Sequence, residues 1–226
     1  MGSLGLYFLL MAPPFLLGLY AQYKIKSAFS EMSQVPAGIS GAQAAARMMA
    51  NGGLTGVGIE RVQGHLSDHY DPRAKVLRLS PDVHDGYSMA AVGVACHEAG
   101  HAFQDAQNYA PLVIRNAAVP AANFGGGIGM TMLMIGLFAG FFQLAVLGLV
   151  LFAGVAFFQI VNLPVEFDAS NRARRELVEQ GMITAREEPY VAKVLNAAAL
   201  TYVAGTLQSV AQLAYFALLL FGGRRD

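Results

Sequence analysis

The 226-residue sequence predicts a mainly α membrane protein, with about four membrane-crossing helices and a small α+β body that contains a β-hairpin. Three observations carry this prediction. Hydrophobic residues make up 55% of the chain and charged residues 13%, whereas soluble domains carry about 25% charged residues. The fifty residues between Arg115 and Glu166 contain no charge. Two further uncharged runs lie at Met1–Tyr23 and Val194–Gly223.

Each span follows from length. The run Leu4–Tyr20 is apolar apart from Pro13 and Pro14 and is long enough to cross a hydrocarbon core. No basic residue precedes it and no small-x-small cleavage site follows it before Lys24, so a retained anchor over 1–23 is expected rather than a cleaved signal. The uncharged stretch 116–165 has room for two spans of about 20 residues, placed near 120–140 and 145–163. A fourth span is expected near 202–221, within a C-terminal segment 201–226 that ends in Arg224 and Arg225. Gly125, Gly129, Gly136 and Gly140 give the second span small-xxx-small spacing. Packing within the chain is the preferred reading of that spacing, and a homo-oligomer through the same span is the alternative. Gly125–Gly127 is no phosphate loop, because it lacks the lysine and the strand-to-helix context.

The polar body is 24–115, followed after the hairpin of spans by a helical segment 166–200. Ser40 and Gln43 form a capping-box pattern before a short helix over Ala44–Met49, which Asn51, Gly52 and Gly53 stop. The segment His65–Ser80 alternates around a turn at Asp71, Pro72 and Arg73 and reads as a hairpin, with its second arm an edge strand. From about Gly86 to Gln107 the apolar spacing is helical.

That helix carries His97-Glu98-Ala99-Gly100-His101, an HExxH pattern. Residues four apart share one helix face, so both imidazoles can reach one metal ion with Glu98 beside them as a general base. Zinc of this kind takes three protein ligands and keeps a fourth place for water. The third ligand must come from His65, His69, His84, Glu166 or Asp168. Glu166 is favoured, since Pro164–Ser170 is read as opening a helix where a span leaves the membrane, and the two spans between His97 and Glu166 return the chain to the same side. The plain alternative is a favourable acid in a helix's first turn, and Asp168 is the next candidate ligand. Cys96 is a lone cysteine, read as a small core residue, so any metal is held by histidines and carboxylates.

Other polar residues invite weaker roles. His69 is a candidate for the substrate side, and Tyr70 or Tyr190 for polarising a peptide carbonyl opposite the metal. Asp105, two turns beyond His97, is a candidate for supporting the ligands. An extended substrate is expected to add as a strand beside Lys75–Leu79, near Leu77 and Leu79. Fifteen basic and fifteen acidic residues cancel, which gives no electrostatic reason to expect nucleic acid. The spans carry no ionisable residues that would mark a transport path.

Five blocks in order, namely Ser67–Arg73, Leu77–Ser80, His97–His101, Leu163–Phe167 and Lys193–Val203, make the chain resemble the YugP-type family of bacterial membrane zinc metallopeptidases. The resemblance covers nearly the whole chain and extends, more distantly, to the HtpX-type and CAAX prenyl endopeptidases. It implies a zincin-like body, one Zn2+ per chain with Glu166 as third ligand, polypeptide substrates, and a multi-pass protein of the bacterial inner membrane. Those relatives place an aspartate four residues after the glutamate, where this chain has Ser170, with Asp168 two residues earlier. Thirteen of the fifteen basic residues fall in 24–115 and 166–200, so the positive-inside rule puts the zinc site on the cytoplasmic side. Membrane-associated or misfolded proteins are the expected substrates, and a zinc-binding scaffold without hydrolytic activity is the rival reading.

Overall fold

The apolar run beginning at Leu4 stays helical past its first charges: α1 spans Ser3–Met32, with Pro13 and Pro14 inside it. The computed structural model describes residues 3–64 and 67–222. His65, a ligand alternative, and the terminal Arg224 and Arg225 lie outside the described residues. Four helices among those described are long and apolar enough to cross a membrane: Leu4–Met32, Ala110–Ala139, Phe142–Glu179 and Glu188–Phe221. The protein is mainly α with a small α+β body, as the composition and periodicity predict.

Between the first two of these helices the chain is short-range and polar. Ser40 caps α2 (Gly41–Asn51), its side chain accepting from the Gln43 N–H while the Gln43 side chain accepts from the Ser40 N–H. Strands β1 (Gly58–Arg61), β2 (His69–Asp71) and β3 (Val76–Leu79) follow, then the short α3 (Pro81–His84) and α4 (Met89–Ala106), capped by Ser88. The β2–β3 hairpin pairs antiparallel, Tyr70 opposite Leu77. Its turn is pinned by Asp71, whose carboxylate accepts from the Arg73 and Ala74 amides and from Arg78.

Two expectations need correction here. The sequence gives no signal for β1, yet Gly58–Arg61 pairs parallel with Val76–Leu79. The strand order is therefore β1-β3-β2, and β3 is the middle strand with its backbone paired on both sides. A substrate strand cannot add beside Lys75–Leu79, and Leu77 and Leu79 are 0% exposed core residues rather than contacts for a substrate. The alternation that marks β3 is its alternate burial in the body, which says nothing about which strand is the edge.

The second correction concerns Glu166. The sequence predicts a helix opening near Pro164, but α7 runs unbroken over Phe142–Glu179 with Pro164 inside. The proline forfeits one bond to the Ile160 carbonyl, a cost of about 3 kcal/mol that two long helical flanks absorb. Glu166 thus sits in a helix interior, which removes the reading of it as a first-turn acid. The last helix, α8, likewise joins the expected helical segment to the expected span as one element, Glu188–Phe221.

The chain divides into two units. One comprises the described residues of Met1–Ala21, Val113–Pro164 and Thr201–Asp226. Its second span is α5 (Ala110–Phe124), a π-helical turn at Gly125–Gly129 and α6 (Met130–Ala139). Gly125, Gly129 and Gly136 pack on α7, whereas Gly140 ends α6 in a left-handed conformation with open space beside it: a Cβ at Gly129 would meet the Leu151 Cβ at 2.8 Å, and one at Gly136 would collide with the Ala145 backbone. Close backbone approach of this kind replaces the hydrophobic effect between helices in lipid. Leu133, Ala145, Leu149 and Phe216 form the small core there.

The other unit comprises Gln22–Leu112 and Val165–Leu200. Its core gathers Met48, Leu77, Leu79, Val83, Met89, Val92, Leu177, Val191 and Val194 around α4. Cys96 is part of it, its thiol pushed up in pKa by burial, as expected of a small core residue.

Candidate metal centre

Helix α4 presents His97 and His101 one turn apart, their rings 4.8 Å between centroids and nearly perpendicular. Glu166, from α7, brings its Oε2 to 3.3 Å from His97 Nε2 and 3.6 Å from His101 Nε2. One ligand atom from each residue lies within 4.8 Å of the others, and this is a potential ion-holding group of the described residues. The spacing has a physical meaning. Donors bound tetrahedrally at about 2.0–2.2 Å from one zinc ion stand roughly 3.4 Å apart. Separations of 3.3 and 3.6 Å match that value and are longer than ordinary hydrogen bonds. Two imidazoles and a carboxylate therefore fit a zinc ion.

Gly100 explains how α7 comes so close. A Cβ there would lie 2.8 Å from the Ala169 carbonyl oxygen and 3.1 Å from its Cα, so the two backbones cross where only glycine fits. Around that crossing each imidazole has a partner for its other nitrogen. His97 Nδ1 is 3.1 Å from the Ser170 hydroxyl, and His101 Nδ1 is 3.0 Å from Gln104 Oε1. The serine thus stands at the Nδ1 of His97, at the position where the distant relatives carry an aspartate. Asp168 accepts from Gln104 Nε2 at 2.9 Å and from Arg172 at 2.6 Å, and Arg172 also donates to Gln107. Burial works against protonated His101, but the facing carboxylates of Glu166 and Glu98 outweigh it and raise its pKa.

Glu98 is held from a different direction. The Tyr70 amide of β2 donates to Glu98 Oε2 at 3.1 Å. Because that N–H points at Glu98, it is turned away from the β3 ladder. The Tyr70 hydroxyl donates to Asp105 at 2.8 Å, and Lys75 forms an ion pair with the same carboxylate. Burial and Asp105 push the Tyr70 phenol above its usual pKa, so it stays protonated. Tyr70 is therefore tied to α4 at both ends, by its amide and by its ring.

The remaining candidates separate from the cluster. His69 is exposed, with Nδ1 2.8 Å from the Ser67 carbonyl, and His84 pairs with Asp85 at 2.7 Å. Tyr190 lies in the first turn of α8, 43% exposed. Gln104 is the residue that sequence reasoning misses. Its spacing three residues after His101 puts it on the ligand face, but a glutamine in a helix carries no signal of its own.

Comparison with known proteins places this geometry. Residues 7–221 match the family model described as "Putative neutral zinc metallopeptidase". The chain is 44% identical over 212 residues to "Putative membrane protease YugP" of Bacillus subtilis (strain 168), covering 93% of this chain and 94% of that protein. No solved structure matches. With the match running across both units and over both helices that carry the His97, His101 and Glu166 cluster, the chain belongs to the neutral zinc metallopeptidase family.

Proposed function

We propose that this protein hydrolyses peptide bonds in membrane-associated or misfolded proteins, with His97, His101 and Glu166 as zinc ligands and Glu98 as general base. The observation that carries the reading is the convergence of three ligand atoms on one ion-sized space, with Glu98 between the two histidines in sequence. A zinc ion held there supplies a Lewis acid and lowers the pKa of a water toward about 7. Glu98 takes the proton of the attacking water on its carboxylate and passes it to the leaving amine. The Tyr70 amide occupies Oε2 and fixes the carboxylate's orientation. Asp168 and Arg172 hold Gln104 behind His101.

In this reading the site faces the cytoplasmic side of a bacterial inner membrane, which the concentration of basic residues in 24–115 and 166–200 supports. The rival, a scaffold that keeps zinc for structure, fits less well. Structural sites fill all four positions with protein, and the cluster among the described residues offers three.

The test is cleavage of a generic unfolded protein by the purified chain. Activity should disappear with a zinc chelator and fall at least about 100-fold in Glu98→Gln while bound zinc stays at one per chain. Equal activity in that variant would remove Glu98 from the mechanism, and no activity in the wild type with zinc bound would favour the scaffold.

A further inference from the structure

We infer that Gln104 is a positioning residue that fixes the proton of His101 on Nδ1 and so presents Nε2 to the metal, in a way His97 is not fixed. The inference rests on the reading of His97, His101 and Glu166 as ligands of one ion. Gln104 is 0% exposed, and both ends of its amide are engaged. Its Nε2 lies 2.8 Å from the Val165 carbonyl and 2.9 Å from Asp168 Oδ2. Neither partner can donate there: a carbonyl only accepts, and the same Asp168 oxygen already accepts from Arg172 Nε at 2.6 Å. The NH2 group must therefore face α7, and the amide oxygen must face His101. An oxygen at 3.0 Å from Nδ1 requires a hydrogen on that nitrogen. The lone pair then sits on Nε2, the atom turned toward Glu166.

His97 has no such lock. Its partner Ser170 Oγ is a hydroxyl, which donates or accepts by rotation and so tolerates either tautomer. The two ligand histidines differ in kind. One is fixed by a chain of polar groups, Arg172, Asp168 and Gln104, that reaches it from α7, and the other is adjustable. The chain also ties the helix bearing both histidines to the helix bearing Glu166, since Gln104 bonds the backbone at Val165, next to that ligand.

The experiment uses the detergent-purified full chain, with zinc affinity measured by competition against a chromogenic chelator. Gln104→Leu keeps the volume close and removes the acceptor, and it should weaken zinc binding roughly 10- to 100-fold. Ser170→Ala should weaken it less. Gln104→Glu alone sets a second carboxylate against Asp168 and should also bind zinc poorly. Gln104→Glu combined with Asp168→Asn reverses the polarity of the link to residue 168, with the new amide donating to the new carboxylate, and should recover part of the lost affinity, since the Val165 carbonyl still faces an oxygen. Recovery is the result a packing role would not give. Wild-type affinity in Gln104→Leu would overturn the inference, as would an unrescued double variant. If Gln104→Leu does not fold, the single and double glutamate variants decide the matter between them. A wild-type chain that binds no zinc would instead strike at the ligand reading itself.

Discussion

His97 and His101 flank Glu98 in sequence and Glu166 joins them from a distant helix, but the proposed metal ligands and the proposed general base are supported by different kinds of structure. His97, His101 and Glu166 sit where α4 and α7 cross at Gly100, and their supporting groups, Ser170 and Gln104, are buried side chains on those same helices. Glu98 is restrained from β2, a three-residue edge strand, through Tyr70, which is held in turn by Asp105 and the half-exposed Lys75. Helix interiors open rarely, while short edge strands open often. The contrast teaches that, if these residues play their proposed roles, metal affinity and catalytic rate should be separable. The first should follow the helix crossing and the second the hairpin.

The strongest way to break that comparison is at the crossing. Glu166→Ala should lose both zinc and activity, measured by metal analysis beside a cleavage assay. Zinc retained in that variant would redirect the third-ligand role to Asp168 or His69. Gly100→Ala comes next. Its methyl group would press on the Ala169 backbone rather than on a side chain that can turn away. Overpacking of this kind costs about 1–3 kcal/mol, and here it should move Glu166 from the histidines. Lower unfolding temperature and weaker zinc binding should appear together. A fall in stability with unchanged zinc affinity would show that α7 yields elsewhere.

How much of this was legible in the sequence follows the same divide. His97, Glu98 and His101 stand out because helical spacing alone puts them together, and the spans stand out because a charge-free run needs no partner to be read. Glu166 was reachable through the count of membrane crossings, although Pro164 suggested a helix start that the structure does not have. The hairpin was visible from its turn, yet its place in the sheet was not. Gly58–Arg61 joins β3 by a long-range parallel pairing, and no local pattern announces that. Gln104 escaped for a related reason, and Ser170 was visible only as a departure from the relatives' aspartate, with no sign of His97 as its partner. Their roles depend on which helix arrives opposite them, a fact of tertiary packing rather than of spacing.

The hairpin side is sharpened by a smaller change. Tyr70→Phe removes the hydroxyl that reaches Asp105 but leaves the backbone amide that donates to Glu98. The strand should then hold the base less firmly, and kcat should fall several-fold, up to about 10-fold for the loss of a charge-assisted hydrogen bond. Zinc affinity should not change. Asp105→Asn keeps an acceptor for the phenol and weakens only the ion pair with Lys75, so its effect should be milder. A change in zinc affinity in either variant would mean that the hairpin and the helix crossing are one cooperative element, and the separation would fail.

The smallest expected effect concerns the turn that sets the hairpin's register. Arg78, with the amides of Ala74 and Arg73, holds the Asp71 carboxyl down to about 2 from its ordinary 3.8. A carboxyl with a depressed pKa in the folded state stabilises the fold above its unfolded value and loses that contribution as pH falls through the folded one. Asp71 should therefore favour folding at pH 5 and cease to do so near pH 2. Metal-free protein is the right sample, since protonation of the histidines releases zinc well above this window. The difference in unfolding temperature between wild type and Asp71→Asn should be constant above about pH 5 and shrink as pH falls toward 2 and below. A difference that stays undiminished at pH 2 would mean that the turn is held by the two backbone amides alone, which an asparagine oxygen can still accept, and that the Arg78 ion pair adds nothing to the register of the strand behind Glu98.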